Sequence, residues 1–167
     1  MQAESPMDNA TVARRFRQIA DILEIQGENP FKVRAYRSAA DTIDGLDDSL
    51  ADLALRNALS DLPGFGPAIE SKTRDFLATG TAALWDRVRD AVPMGVVALA
   101  GVPGIGPKTA RTLHEQLGVD SVDAAENAAL AGKIRLLDGF GAAKEEAIAN
   151  KIAAWRRLNK RKPRWRA

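Results

Sequence analysis

The sequence predicts an all-α fold, a small helical bundle of two subdomains. Alanine, leucine and charged residues dominate the 167-residue chain, and β-branched and aromatic residues are few, which is typical of helical proteins. A glycine-containing phrase also occurs three times, each time between two helix-like stretches. Its copies are LPGFGP at 62–67, VPGIGP at 102–107 and the looser LDGFG at 137–141. Two helices joined by such a loop form a helix-hairpin-helix motif, so we expect three of these motifs.

Each copy of the phrase has the residue types of a tight loop. The first glycine supplies the positive φ that such turns need, and a preceding proline presets the backbone. We expect the apolar residue between the glycines to point inward, and the second glycine to let another backbone approach closely. Pro67 and Pro107 open the next helix, where a missing N–H costs nothing. Free N–H groups at this helix N-terminus favour a bound phosphate. The candidate phosphate-binding glycines are Gly64, Gly66, Gly104, Gly106, Gly139 and Gly141.

The predicted helices of the first subdomain, residues 8–80, are bounded by a capping residue, prolines and glycines. Asp8 or Asn9 caps the first helix, whose apolar stripe ends near Gly27, and Gly80 stops the last one. The helices cover about 10–26, 30–44, 49–59 and 67–79. The second helix is expected to turn inward Phe31, Ala35, Tyr36, Ala39, Ala40 and Ile43.

The second subdomain, residues 81–158, is predicted to hold the second and third hairpins. A weak helix carries Leu84, Trp85 and Val88 and breaks before Pro93. Further helices are expected over about 94–99, 107–117 and 121–136, followed by a last helix after the third hairpin. No strand and no long linker is predicted.

Charge is unevenly distributed along the chain. The net charge is +2, but seven basic residues and no acid lie between Trp155 and Ala167. We therefore treat residues 159–167 as a basic tail, whose cations and Trp165 suit stacking on an exposed base. The alternative is a solubilising terminus. Because the rest of the chain is slightly acidic, phosphate contacts must come from local basic patches.

Several classes of site are disfavoured by composition. The chain has no cysteine, which excludes disulfides and thiolate metal sites and suits a reducing cytosol. Residues 1–9 do not form a signal peptide, and nothing approaches a membrane span. We expect a cytoplasmic, nucleoid-associated monomer without a membrane partner. His114 lacks further ligands nearby and is interpreted as an ordinary residue. A solvated face, rather than a metal site, is expected from Asp41, Asp44, Asp47, Asp48 and Asp52.

Residues from about 8 to 152 resemble the N-terminal region of the family X DNA polymerases. The segment GENPFKVRAYR at 27–37 is similar to the second-helix signature of that family. LPGFG at 62–66 and DFLATG at 75–80 are similar to the first hairpin of its lyase domain, and residues 99–118 to the hairpin of its fingers. The third hairpin is more like the bacterial branch.

The resemblance implies recognition of gapped or nicked DNA by hairpins whose loop carbonyls coordinate a monovalent cation, K⁺ or Na⁺, with no other cofactor. Lys72 falls at the position of the lyase lysine, and Lys32 and Tyr36 fall where the family holds the 5′-phosphate. The second motif adds Lys108 and Arg111 as DNA contacts. The carbonyls carried over are those of Ser60, Leu62, Phe65, Ala100, Val102 and Ile105.

The sequence also departs from the family. The palm is absent, so we expect no DNA polymerisation by that route. Ala68 stands where a phosphate-binding lysine often lies, Glu70 replaces a small residue and Thr73 an aliphatic one. The first hairpin is thus the least typical of the pattern, whereas the second keeps Ala110 at its close-packing position.

Three classes of function remain open. The first is a DNA-repair module that binds gapped, nicked, otherwise damaged or single-stranded DNA through backbone phosphates, without reading sequence. The second is a lyase for abasic or 5′-deoxyribose-phosphate ends that uses Lys72. The third is a protein-interaction module whose acidic helices face a partner. A repair polymerase or ligase is the expected partner enzyme.

Overall fold

A computed structural model describes residues 7–160, and this part of the chain is entirely helical, as the sequence predicts. Within residues 7–160, nine α-helices are joined by short turns. They are α1 (Asn9–Ile25), α2 (Pro30–Asp44), α3 (Leu50–Leu55), α4 (Pro67–Thr79), α5 (Ala83–Val88), α6 (Met94–Ala100), α7 (Gly106–Leu117), α8 (Val122–Leu130) and α9 (Ala142–Lys160). Short 3₁₀ turns at Leu59–Asp61 and Ile134–Leu136 enter the first and third hairpins.

The described part of the chain divides into two compact units, with the boundary between Ala91 and Val92. The first unit extends past the predicted boundary at residue 80 because α5 packs against α1. Trp85 of α5 is buried, and the guanidinium of Arg15 lies 4.8 Å from the centre of its ring.

The core of the first unit forms where α1 and α2 pack along each other and α4 joins them. Asp8 caps α1 by accepting the N–H of Thr11 at 2.8 Å. The ring of Phe16 meets those of Tyr36 and Phe76 at centroid distances of 5.9 and 5.8 Å. All three rings are buried, so Tyr36 is held in place by aromatic packing.

The predicted inward face of α2 is wrong at two residues. Phe31 is 75% exposed and Ala35 is also exposed, whereas Val33 is buried. The helix begins at Pro30, and Phe31 and Lys32 in its first turn are exposed. The core-facing stripe therefore starts at Val33 and continues through Tyr36, Ala40 and Ile43.

The third predicted helix is shorter than expected. It ends at Leu55, and Asn57 takes a positive φ of 54°, which breaks the helix before the 3₁₀ turn. Asparagine adopts a positive φ more readily than most residues with a side chain, and it is often found just after the end of a helix.

In the second unit, α6 packs with α7 and α8 with α9. Arg156 of α9 forms ion pairs with Asp123 and Glu126 of α8, which fixes these two helices together. His114 has a structural role, because its Nδ1 lies 2.8 Å from the carbonyl oxygen of Val119.

Candidate nucleic-acid interface

The three hairpin loops share the same backbone hydrogen bonds. In the first, the N–H of Leu62 donates to Leu59 and that of Phe65 to Leu62, both at 3.1 Å. The second repeats this pattern from Leu99 through Val102 to Ile105, and the third from Ile134 through Leu137 to Phe140, at 3.0–3.1 Å. The repeated sequence phrase therefore encodes one repeated loop structure.

The first glycine of each loop has the positive φ that the sequence predicts. Gly64, Gly104 and Gly139 have φ values of 80°, 89° and 78°. An L-residue with a side chain is strained in this region, so these positions require glycine.

The second glycine of each loop was expected to let another backbone approach closely, and this expectation is wrong. Among residues 7–160, no other part of the protein lies within 4 Å of the place where a Cβ would stand on Gly66, Gly106 or Gly141. The surface is open there, and only Gly106 needs glycine for its φ of 79°. Open backbone at a helix N-terminus leaves room for a ligand from outside.

The residues between the glycines differ among the copies. Phe65 and Ile105 are buried, as predicted, whereas Phe140 is only partly buried. The ammonium of Lys144 lies 4.3 Å from the centre of the Phe140 ring. The residue between the glycines is therefore least buried in the third hairpin.

The loop carbonyls of the first two hairpins suit the expected monovalent cation. Within residues 7–160, the carbonyls of Ser60, Phe65, Ala100 and Ile105 accept no hydrogen bond. Those of Leu62 and Val102 each accept one, from the loop itself, and keep a second lone pair. Oxygen ligands of this kind are the ones that hard cations prefer.

Charge around the hairpins singles out the second one. Lys108 is exposed in the first turn of α7 and forms no ion pair within the described residues. Arg111, one turn on, donates to Glu115 at 2.9 Å. The equivalent first-turn position of the first hairpin carries Ala68, so of these two hairpins only the second presents a cation there that forms no ion pair among residues 7–160.

The third hairpin contains an internal anion. Glu145 is 3% exposed and accepts hydrogen bonds from the backbone N–H of Arg135 at 2.8 Å and from its Nε at 2.9 Å. These hydrogen bonds, first of all those from the Arg135 side chain, lower the pKa of Glu145 below its ordinary value. The carboxylate and guanidinium thus neutralise each other at the entry to this loop.

A basic cleft of about 270 Å³ lies in the first unit. Lys32 and Tyr36 of α2, Lys72 and Asp75 of α4, and Arg87 of α5 line it. None of its three cations forms an ion pair within the described part of the chain. The structure thus brings together the three residues that the resemblance places at the lyase site, Lys32, Tyr36 and Lys72.

Lys72 is half-buried in this cleft, with its ammonium 5.8 Å from the centre of the Tyr36 ring. Burial, and then the positive charges of Lys32 and Arg87, lower the pKa of Lys72 below the ordinary lysine value of 10.5. The negative charge of Asp75, one turn along α4, raises the pKa of Lys72, but it is the smallest of these influences. Burial also raises the pKa of Tyr36.

Arg87 was missed by sequence reasoning. Nothing in the spacing of α5 relates it to α4, because the two helices meet only through the tertiary fold. Its charge lies in the cleft together with those of Lys32 and Lys72.

A larger groove of about 360 Å³ between α3 and α4 has a different character. It is lined by apolar residues and by Arg74, whose guanidinium donates to the carbonyl of Ala54 and to Asn57 and Glu70. Because this cation is already bonded, the groove offers no free charge to a phosphate.

Comparisons with known proteins agree with this geometry. Residues 7–82 match the family described as a helix-hairpin-helix domain, and residues 96–154 match the SAM-like helix-hairpin-helix tandem. The chain is 32% identical over 142 residues to the DNA polymerase/3'-5' exonuclease PolX of Bacillus subtilis (strain 168). The aligned region covers 85% of this chain and 24% of that protein, so the chain spans about a quarter of its relative. Among the described helices, none has the length and apolar character needed to cross a bilayer. The chain therefore belongs to the helix-hairpin-helix region of the family X DNA polymerases, the part that precedes their palm.

Proposed function

We propose that the chain is a sequence-independent DNA-binding module that recognises gapped or nicked DNA through backbone phosphates. The repeated loop is the observation that carries this proposal. At the N-termini of α4 and α7, its free backbone N–H groups lie next to open surface. Lys108 adds a free positive charge at the second of these loops. Hairpin loops of this kind position phosphates but present no side chains to base edges, so binding does not depend on sequence.

A monovalent cation fits this proposal at the first two hairpins. The carbonyls of Ser60, Leu62 and Phe65, and those of Ala100, Val102 and Ile105, have lone pairs available for K⁺ or Na⁺. Such an ion supplies a positive charge between the loop and a phosphate.

Preference for a gap is supported by Phe31. This exposed ring begins α2 next to Lys32, which lines the basic cleft, and the guanidinium of Arg34 lies 4.8 Å from its centre. An exposed aromatic flanked by cations stacks on unpaired bases, which a gap provides and an intact duplex does not.

A binding comparison tests this function. The affinity for gapped, nicked, intact and single-stranded DNA should fall log-linearly with salt, and gapped DNA should bind most tightly. Lys108→Glu should weaken binding more than the control Lys133→Glu, since only Lys108 follows an open hairpin. Affinity that is independent of salt, or equal effects of the two substitutions, would contradict the proposal.

The basic cleft favours a second candidate, a lyase acting on abasic or 5′-deoxyribose-phosphate ends. A lowered pKa leaves more of the Lys72 amine neutral, and the neutral amine is the nucleophile. It attacks the sugar aldehyde, and loss of water gives a Schiff base. Removal of a proton from C2′ then breaks the C3′–O bond, and the departing phosphate becomes the 5′-phosphate end of the downstream strand. Water hydrolyses the remaining Schiff base and restores the Lys72 amine, so the sequence needs no oxidant or reductant. Lys32 and Arg87, which line the same cleft, are the proposed contacts of the 5′-phosphate.

Covalent trapping separates this candidate from simple binding. Borohydride reduces the Schiff base, so the protein should become attached to incised abasic DNA. Lys72→Ala should abolish the attachment, whereas Lys133→Ala should leave it intact. If saturated DNA gives no trapped complex, the lyase proposal fails and the binding module remains.

A further inference from the structure

Lys151 of α9 lies against the loop of the second hairpin. Its Nζ donates to the carbonyl oxygen of Gly104 at 2.9 Å. Its Cδ and Cε lie 2.8 Å from where a Cβ would stand on Gly104. Gly104 is therefore required both by its φ of 89° and by the lysine stem that covers it. The helix that follows the third hairpin thus delivers a positive charge to the loop of the second.

The ammonium of Lys151 has capacity left for a ligand. It carries three N–H donors, and the Gly104 carbonyl is its only hydrogen-bond partner among residues 7–160. No carboxylate of the described residues forms an ion pair with it. The aliphatic stem rests on the loop while the charged end reaches the surface, as long basic side chains commonly do.

The third hairpin is less suited to binding a phosphate itself. Arg135 is paired with the buried Glu145, and this carboxylate lies at the entry to the loop. Lys144, in the first turn of α9, has its ammonium over the ring of Phe140. The third hairpin therefore holds an internal ion pair and a lysine in contact with an aromatic ring, whereas the second hairpin presents Lys108 and Lys151, which form no ion pairs among residues 7–160.

We propose that Lys151 binds a DNA phosphate at the second hairpin, and that the third hairpin positions Lys151 rather than binding DNA itself. This proposal rests on the DNA-binding function proposed above. The second and third motifs then form one phosphate-binding surface, with Lys108 on α7 and Lys151 on α9 as its cations.

The test compares three lysine-to-methionine variants of the full chain by fluorescence anisotropy on nicked and intact duplex DNA, across a series of KCl concentrations. Methionine keeps much of the stem that covers Gly104 but removes the charge, so melting temperatures should not change. Lys151→Met and Lys108→Met should each lower affinity about five- to tenfold near 0.1 M salt and reduce the salt slope by about one. The matched control Lys144→Met should change affinity less than about twofold on the same scale.

Three results would overturn this inference. In the first, Lys151→Met leaves the DNA affinity and the salt slope unchanged. In the second, it lowers the affinity without changing the salt slope, which would indicate that Lys151 positions the loop and does not contact a phosphate. Lys144→Met could weaken binding as much as Lys151→Met, which would place the third hairpin on the DNA. The wild-type protein reports on the proposed function separately: if it binds no DNA, that function fails and this inference fails with it.

Discussion

At the scale of single residues, Lys72 illustrates how neighbouring groups set the chemistry of an amine. Its partial burial disfavours the charged form, and two cations from other helices disfavour it further. Its helix packs into the core through Ile69 and Phe76, but the Lys72 ammonium faces a cleft that holds more positive than negative charge.

Replacement of Arg87 should change this chemistry in a measurable way. Arg87→Met removes one of the charges that lower the pKa of Lys72, so that pKa should rise. The side-chain resonances of Lys72, followed by NMR during a pH titration, report the value directly. Arg89→Met is the matched control, because Arg89 lies nearby but pairs with Asp86 and Asp90 outside the cleft. An unchanged Lys72 titration in Arg87→Met would show that Arg87 does not act on it.

Phe31 gives a second prediction at this scale. Phe31→Ala should lower affinity for gapped and single-stranded DNA by about five- to a hundredfold, as expected from the loss of one base–aromatic stack. Binding to intact duplex and the melting temperature should stay nearly constant, because the ring is 75% exposed. Leu55→Ala is the control, since Leu55 is 84% exposed and lies away from the cleft lining. Equal losses on gapped and intact DNA would exclude base stacking.

Only some of the residues that line the cleft could be identified from the sequence. Lys32, Tyr36 and Lys72 could be assigned because they lie on signature segments of the family. Phe31 was assigned to the core because it fits the helical spacing, but spacing does not show which turns of a helix are covered by the rest of the fold. Arg87 and Lys151 depend on packing between distant parts of the chain, and no local pattern encodes that packing.

At the scale of elements, the first and second hairpins have the same loop but different charges. Ala68→Lys should give the first hairpin the cation that Lys108 gives the second. We expect tighter DNA binding and a salt slope that is steeper by about one. Ala78→Lys, at the exposed opposite end of α4, adds the same charge away from the loop and should have a smaller effect. Equal gains from both substitutions would indicate general electrostatics instead of a hairpin contact.

The third hairpin is expected to be stabilised by the ion pair between Arg135 and the buried Glu145. Arg135 holds the pKa of Glu145 below the ordinary value of 4.5, so the pair contributes stability above that pH and loses it as the pH falls through the lowered pKa. Glu145→Gln should lower the melting temperature at neutral pH, and the difference from wild type should shrink in acid. Glu146→Gln, at an exposed neighbour, should have no such effect. A difference that does not vary with pH would contradict this role.

The helices themselves were largely predictable, for local physical reasons. Asp8 caps α1, Pro30 and Pro67 begin helices, and Gly80 and Gly118 end them with positive φ values of 77° and 69°. The extent of the first unit was not predictable in the same way, because it depends on the packing of α5 against α1.

Gly95 shows another tertiary requirement that no local pattern reveals. A Cβ on this residue would lie 2.0 Å from the carbonyl oxygen of Asp120, so α6 must carry glycine where it meets the segment that enters α8. From the sequence alone, this glycine is recognisable only as a poor helix former inside a short helix. The reason for it becomes visible once the two segments are placed side by side.

At the scale of the whole molecule, the prediction of a basic tail falls mainly on residues 161–167, which lie outside the described part of the chain. Deleting these residues leaves every described helix intact, because α9 ends at Lys160. The deletion removes Arg161, Lys162, Arg164, Arg166 and Trp165.

The deletion of residues 161–167 should weaken binding to gapped and single-stranded DNA and should leave the melting temperature unchanged. The salt slope should fall by about 0.7 to 0.9 for each phosphate that the tail neutralises in the full chain. Trp165→Ala separates the two contributions of the tail, because it keeps every charge. It should lower affinity for single-stranded DNA while the salt slope stays constant, as expected if the indole stacks on a base. Affinity and slope that match the full chain after the deletion would show that the body of the protein alone binds DNA.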